Sequence, residues 1–344
     1  MKSTLLFYLL FATISFSFAQ KSVIELVEEG ITYHDSGDFE MAIETYKKAL
    51  ALDPNSTLVS YEISLSFYSN QDYENSIKYS DRVLKNKDDT YDLKAYHTKG
   101  SSLDVLGRTK ESNKVFKKAI KKYPSNYLLH YNLALNYYKL KDYEEAEEYS
   151  TNAIINNPLH SSSHLLLAYI HLEQEHKIKS YLSLHYFLLL EPTSNRAIQA
   201  FKYLEYVTYG NVTTEKEKPN TINISLSSLD LDSEFPGAQM MLSFMVAGNN
   251  TEKNEGKSKE ELLIENTETF FGFLGAMKDD SDKKQEGLYW DFYIPFFYLL
   301  SNSEHMDAYC YHITEATNDL AKEWIQQNTD KMFEFEKWLD EHQY

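Results

Sequence analysis

The 344-residue chain predicts an all-α protein: an α-solenoid of five helix pairs plus a capping helix, then a mostly helical C-terminal domain. Three observations predict this. Windows of similar pattern recur at a near-constant step through the first half of the chain. Within each window apolar residues return at helical rather than alternating spacing. Each window breaks once between two such helices, as at Asp35–Asp38 and Leu140–Asp142, and the scarcity of Gly (11) and Pro (7) excludes a collagen-like or low-complexity chain. Composition narrows the function classes as well. The 28 Tyr and 19 Phe supply a core that disordered chains lack. The net charge of −18 argues against nucleic acid as a partner, because displacing counterions from phosphates takes basic charge. With one cysteine, Cys310, neither an intrachain disulfide nor a Cys-rich zinc site can form.

The first element is a leader. Lys2 precedes an apolar run from Leu5 to Phe18 that falls short of the roughly 20 residues needed to span a bilayer. Ser17 and Ala19 take the small positions of a cleavage site. Residues 1–19 therefore predict a secretory signal peptide, leaving Gln20 as the new N-terminus of a chain that does not span the membrane. The Phe-Ala-Gln ending resembles leaders of Bacteroidota envelope proteins, so the expected location is secreted or periplasmic, in a bacterial cell envelope. No Cys follows the cleavage point, and lipid attachment is not expected.

The repeats come next. Aligned windows start at Val23, Thr57, Leu93, Tyr127 and Ser161, in steps of 34, 36, 34 and 34 residues. One small position holds Gly30, Ser64, Gly100, Ala134 and Ala168 in turn. A second holds Ala42, Ser76, Ser112, Ala146 and Ser180, and a third Ala49, Val83, Ala119, Ala153 and Phe187. Pro54, Pro124, Pro158 and Pro192 close four of the windows. Small residues at fixed offsets let two helices approach closely, and the proline stops the second helix. No unit buries its apolar stripe alone, so neighbours must stack. Phe187, at a usually small site, predicts that the fifth unit packs against something bulkier than another repeat. Two extra residues near Lys87 and Asp88 should only lengthen a loop. Residues 195–209 begin a sixth unit without its second helix and read as the cap of the array.

These windows resemble the tetratricopeptide repeat family over roughly residues 23–194. The resemblance implies that the first helix of each unit lines a concave groove, with offsets two, five, nine and twelve pointing inward. The groove residues so implied are Val27, Ile31 and His34 in the first unit, Tyr61, Leu65 and Tyr68 in the second, and Lys94 and His97 in the third. Tyr131, Leu135 and Tyr138 follow in the fourth, with Leu165 and Tyr169 in the fifth. Lys94 is the one Lys or Arg among the inward offsets of the five units. A carboxylate ligand is therefore disfavoured, and an aromatic lining suits an apolar peptide segment.

The domain organisation expected is a solenoid with its capping helix over 20–209, a linker over 210–222 and an acidic, mostly helical domain over 223–344. The charge supports a change of surface: residues 195–344 carry 13 basic and 27 acidic side chains. Pro236 opens a helix that Gly248 closes, Ser258 and Glu261 form a capping box before another, and 304–326 and 329–342 read as two more. This domain resembles no family known to us. It is expected to pack on the end of the solenoid.

Two clusters hold chemistry-bearing residue types. His160, His164, His171, His176 and His185 crowd the fifth unit. Two of them fall at core offsets, no carboxylate stands at a matching offset and no His-Glu-x-x-His occurs, so no metal and no cofactor are expected. Asp291, His305, Asp307, Cys310 and His312 are reactive types without a hydrolase signature around the cysteine. The acidic runs at Asp230 and Asp280 fail the EF-hand pattern. The function expected is an exported protein–protein interaction module or scaffold whose partner is an apolar peptide or protein segment. The alternative is an enzyme or small-ligand receptor with its site in the C-terminal domain and the solenoid as docking arm.

Overall fold

The computed structural model describes residues 21–86, 89–215, 218–224, 234–249, 251, 254–279 and 285–342. The leader 1–19, the insertion at Lys87 and Asp88, and the acidic positions Asp230, Asp232, Asp280 and Asp282 lie outside them. The fold is all-α apart from one hairpin. The chain divides into two compact units, one ending at Pro124 and the other beginning at Ser125.

The first unit holds three helix pairs: α1 (Val23–Asp35) with α2 (Phe39–Leu52), α3 (Thr57–Ser69) with α4 (Tyr73–Lys85), and α5 (Asp92–Val105) with α6 (Thr109–Lys122). A 3₁₀ turn, Asp89–Tyr91, precedes α5. Local sequence starts these helices. Ser22 and Glu25 form a reciprocal capping box, and Asp38, Ser56 and Asp72 each accept an amide hydrogen bond at the start of α2, α3 and α4, satisfying donors the helix leaves free. The small positions sit where helices touch. A methyl at Gly30 would stand 2.3 Å from the Tyr46 ring, and one at Gly100 2.3 Å from Phe116. Ser64 meets Ser80 at 2.7 Å, and Ser112 donates to the Gly100 carbonyl at 2.8 Å.

The second unit opens with two more pairs, α7 (Tyr127–Lys139) with α8 (Tyr143–Asn156), and α9 (Ser161–Glu173) with α10 (Lys177–Leu190), followed by α11 (Asn195–Tyr209). Across both units the turn inside each pair bends at one recurring residue: Gly37, Gln71, Gly107, Lys141 and Glu175 all have φ between +59° and +83°. Two are glycine; the other three adopt a left-handed conformation that costs an ordinary L-residue about 1 kcal/mol.

After α11, β1 (Val212–Glu215) pairs antiparallel with β2 (Lys218–Ile224), so the segment expected to be a linker holds a hairpin. Then come α12 (Pro236–Gly248), α13 (Lys259–Asp279), a π-helical turn at Tyr289–Tyr293 running into α14 (Ile294–Ser301), α15 (Met306–Thr314), α16 (Asp319–Gln327) and α17 (Thr329–His342). The Ser258–Glu261 capping box forms as the sequence predicts. The single helix expected over 304–326 is two. Thr314 bonds back to the Cys310 carbonyl at 2.8 Å, and Asn318 caps a fresh start through the Leu320 amide at 2.9 Å.

The core of this unit explains why repeats four and five share it with the C-terminal helices. α10 buries every residue from Lys177 to Leu189 except Lys179. It packs against α9 and α11 on its repeat side and against α12, the π turn and α15 beyond. One apolar cluster runs from Ile154 through Tyr186 and Phe187 to Phe271, Phe297, Tyr309 and Leu339. Phe187 is fully buried in it, with the Arg196 guanidinium 5.5 Å from its ring centre. The expected packing of the C-terminal helices on the fifth repeat is what this cluster consists of.

Candidate functional site

In the first unit the first helices neighbour one another, α1 beside α3 and α3 beside α5, so their inward offsets share a face. Ile31 is 40% exposed; His34, Tyr61, Leu65, Tyr68 and His97 are half-buried and Lys94 is exposed. Val27 departs from the expectation. It is buried among Leu26, Tyr46 and Val59, because the first repeat turns that position into the α1–α2 core. The aromatic rings are held in pairs. Tyr61 stacks on Tyr91 at 5.5 Å, with the Lys94 ammonium 5.4 Å from the first ring and 5.7 Å from the second. Tyr68 sets its edge to Tyr73 at 5.5 Å. His34 shares a 2.8 Å hydrogen bond with the Ser66 hydroxyl across the repeat boundary, and His97 lies 6.4 Å from Phe116. Burial raises the phenols of Tyr61 and Tyr68, so both stay neutral hydrogen-bonding groups.

In the second unit α7 neighbours α9 in the same way. Tyr131 is edge-on to His160 at 4.9 Å, Tyr138 meets Tyr143 at 6.0 Å and Tyr169 meets Tyr203 at 5.4 Å. Leu135 is half-buried against Ala134, Leu166 and Ile170. Leu165, only 6% exposed, belongs to the large core and not to the face. Again burial raises the phenols of Tyr138 and Tyr169.

Two residues on this face escaped the sequence reading, Arg196 and Tyr203. Their signal was present: α11 starts one further step of 34 after Ser161, so offsets two and nine of a sixth unit fall on them. Arg196 is already engaged. It bonds Glu191 twice, once at 2.9 Å through Nε, and the Ser162 hydroxyl at 2.9 Å. Burial alone would push the Glu191 carboxyl up, but hydrogen bonds from Arg196, Ser194 and Ser161 hold it at about 2. Its charge thus pairs internally.

The two reactive clusters resolve differently. His164 donates from Nε2 to the Pro158 carbonyl at 2.7 Å, which leaves Nδ1 to accept from the Tyr293 hydroxyl at 2.6 Å. His185 meets the Tyr309 hydroxyl at 2.7 Å, Ser183 meets that of Tyr289 at 3.0 Å, and His312 donates to the Leu189 carbonyl at 2.9 Å. These are buried polar pairs that tie α9 and α10 to the C-terminal helices. Burial lowers His164 and His185 to about 3, so both are neutral. His171 and His176 come together with Glu147 of α8. In the C-terminal group, Asp307 pairs with Lys331 at 2.5 Å, Asp291 accepts from the Gly287 amide at 2.8 Å, and His305 lies against Phe335 and Trp338. The Cys310 thiol is buried, and burial pushes it far above the range of a nucleophile.

One cavity of about 620 Å³ opens in the second unit, between Phe201, Lys202 and Glu205 of α11 and Leu263 and Thr267 of α13, with Thr314 and Asn318 beside them. Neither Asp291 nor His305 lines it. Among the described residues no helix is long and apolar enough to cross a membrane.

Residues 30–71 match the family model of the TPR repeat, and residues 97–150 and 134–176 match that of the tetratricopeptide repeat. Solved structures similar to the chain include YrrB, a TPR protein with an unusual peptide-binding site, at 15% identity over 53% of this chain and 92% of that one, TM-score 0.43. MamA (41-end) from Desulfovibrio magneticus RS-1 is 18% identical over 56% and 99%, TM-score 0.43. PilF of Pseudomonas aeruginosa is 18% identical over 55% and 89%, TM-score 0.44. No curated protein matches the chain.

Proposed function

We propose, on the premise that residues 23–194 are tetratricopeptide repeats and thus a protein–protein interaction module, that the partner is an apolar peptide or protein segment held on the aromatic faces of the first helices. The protein acts as an exported scaffold of the cell envelope once residues 1–19 are removed. One observation carries the reading: tyrosines at the inward offsets, Tyr61, Tyr68, Tyr131, Tyr138 and Tyr169, remain half-exposed while paired ring to ring. Rings fixed in this way lose little freedom on binding and offer an apolar face with a polar tip. Of the cations on these faces, Arg196 is paired with Glu191, which leaves the single ammonium of Lys94, set over the Tyr61 and Tyr91 rings, too little to make a carboxylate clamp.

The test is selection from a displayed random-peptide library, followed by titration. Enriched peptides should be apolar, should bind with little loss in moderate salt, and should lose binding when Tyr61, Tyr68, Tyr131 and Tyr138 are replaced by Ala with helical content unchanged. Acidic peptides, or retained binding by the variant, would overturn the reading. Export is tested by N-terminal sequencing, which should begin at Gln20. The cavity beside α11 supports a second reading, a small-ligand receptor, since its volume falls in the range of small-molecule sites. A thermal-shift screen of small metabolites, with Leu263→Trp filling the cavity as control, separates the two.

A further inference from the structure

We propose that Glu147, His171 and His176 form a binding site for a divalent transition-metal ion of the zinc class. The three come from different places in sequence: Glu147 from the middle of α8 in the fourth repeat, His171 from the last turn of α9, and His176 from the N-cap of α10. The stacking of one repeat on the next brings one ligand atom of each within 4.8 Å of the others, with His171 Nε2 3.8 Å from Glu147 Oε1.

The second observation is what these groups lack. His171 is fully buried, yet neither of its ring nitrogens has a hydrogen-bond partner of normal geometry, the nearby Gln174 side chain giving it only a weak interaction, and Nδ1 of His176 is likewise unpaired. Buried polar atoms are nearly always paired, and an unpaired one costs about 1–3 kcal/mol. Two histidines of the same helices, α9 and α10, follow that rule: His164 and His185 each take a tyrosine hydroxyl. A knot of unpaired lone pairs facing a carboxylate is the donor set a metal ion satisfies, and two imidazoles with one carboxylate suit zinc and its neighbours in place of calcium or magnesium. Ligand atoms around a tetrahedral zinc are about 3.4 Å apart, so closure takes roughly 1 Å of movement, within reach of the half-buried Glu147 and His176 side chains.

One group opposes the ion. The Lys179 ammonium lies 3.4 Å from Glu147. It also pairs with Glu234 at 3.2 Å and sits over the Tyr289 ring, so it keeps partners when Glu147 turns to the metal. Removing it should help binding, which a purely structural role for the cluster does not predict.

The experiment is isothermal titration of metal-free chain, Gln20 to Tyr344, with Zn²⁺, Ni²⁺, Co²⁺, Mg²⁺ and Ca²⁺ separately. One equivalent of Zn²⁺ should bind and the hard cations should not. Bound Co²⁺ should show the visible absorption of a low-coordinate nitrogen–oxygen site. Glu147→Gln and His176→Ala should each weaken Zn²⁺ binding at least tenfold, and Lys179→Met should tighten it severalfold. Both ligand variants change half-exposed side chains, and the metal-free melting midpoint shows that each still folds. Absence of Zn²⁺ binding by the unmodified chain, or binding that folded Glu147→Gln and His176→Ala leave unchanged, would overturn the site.

Discussion

The second helices of the third and fifth repeats, α6 and α10, have the same length and the same place in their repeats, and opposite surroundings. α6 buries Ser112, Asn113, Phe116 and Ala119 and leaves a lysine-rich face to water. α10 is covered almost all round. The difference teaches where a repeat array remains a single layer and where it becomes the middle of a larger core. A helix with one apolar stripe needs one neighbouring layer; a helix apolar on every side must be enclosed. In the second unit the enclosure also captures polar groups, and His164, His185 and Ser183 each take a tyrosine hydroxyl in the interior. The buried small residues of the first unit, by contrast, include serines that bond one another or the nearest carbonyl.

The largest test of this contrast is truncation. A chain ending at Thr193 uncovers the second side of α10 and should aggregate or lose its cooperative melt. A chain ending at Pro124 should stay soluble and helical. Equal melting midpoints for the Thr193 truncation and the full chain would break the comparison.

Acid should separate the units next. His164 and His185 are held at about 3 by burial, against about 6.5 unfolded. The unfolded chain therefore binds more protons below pH 6.5. The stability these groups contribute is complete above that pH and is lost as pH falls toward 3, by up to about 2.7 kcal/mol per pH unit for the pair. Near-ultraviolet circular dichroism of the full chain should lose the tyrosine signal of the second unit across this window, and His164→Gln with His185→Gln should weaken the dependence, the remainder coming from His171 and His312, which burial also lowers. A pH-independent signal down to 4 would contradict it.

Close helix approach in the first unit gives a smaller effect. Gly30→Ala and Gly100→Ala place a methyl against the rings of Tyr46 and Phe116. Each should cost about 1–3 kcal/mol by overpacking, read as a lower urea midpoint at constant slope. Smallest, and opposite in sign, are the turn residues. Gln71→Gly, Lys141→Gly and Glu175→Gly relieve a left-handed backbone and should each stabilise by up to about 1 kcal/mol, the relief being partly offset by glycine's greater freedom when unfolded. Gly37→Ala should destabilise by a similar amount.

Much of the fold was legible because the repeat states the same physical demand five times. The positions of Gly30, Ala42 and Ala49 and their successors are buried without exception, as the need for close approach requires. Of the groove offsets, Tyr61 and Tyr138 stay half-buried, while Val27 and Leu165, at the same kind of offset, are drawn into their cores. Offsets fix direction on a helix and leave depth of burial to the neighbours. Arg196 and Tyr203 were missed because a lone helix was read as a cap and not counted as a sixth first helix. Glu147 was missed as a companion of His171 because it lies on the preceding repeat, and only stacking joins them.

The sequence by itself determined the helices, their pairing into repeats and the extra apolarity of α10, since propensity, capping and periodicity act within a few residues along the chain. Only the tertiary structure decided what encloses α10, which histidines take a tyrosine partner and which remain unpaired, and that repeats four and five share a core with the C-terminal helices. Those outcomes depend on contacts between residues more than a hundred positions apart, such as His164 with Tyr293 and His185 with Tyr309. No local pattern encodes such a pairing; it follows from which apolar surfaces must be removed from water together.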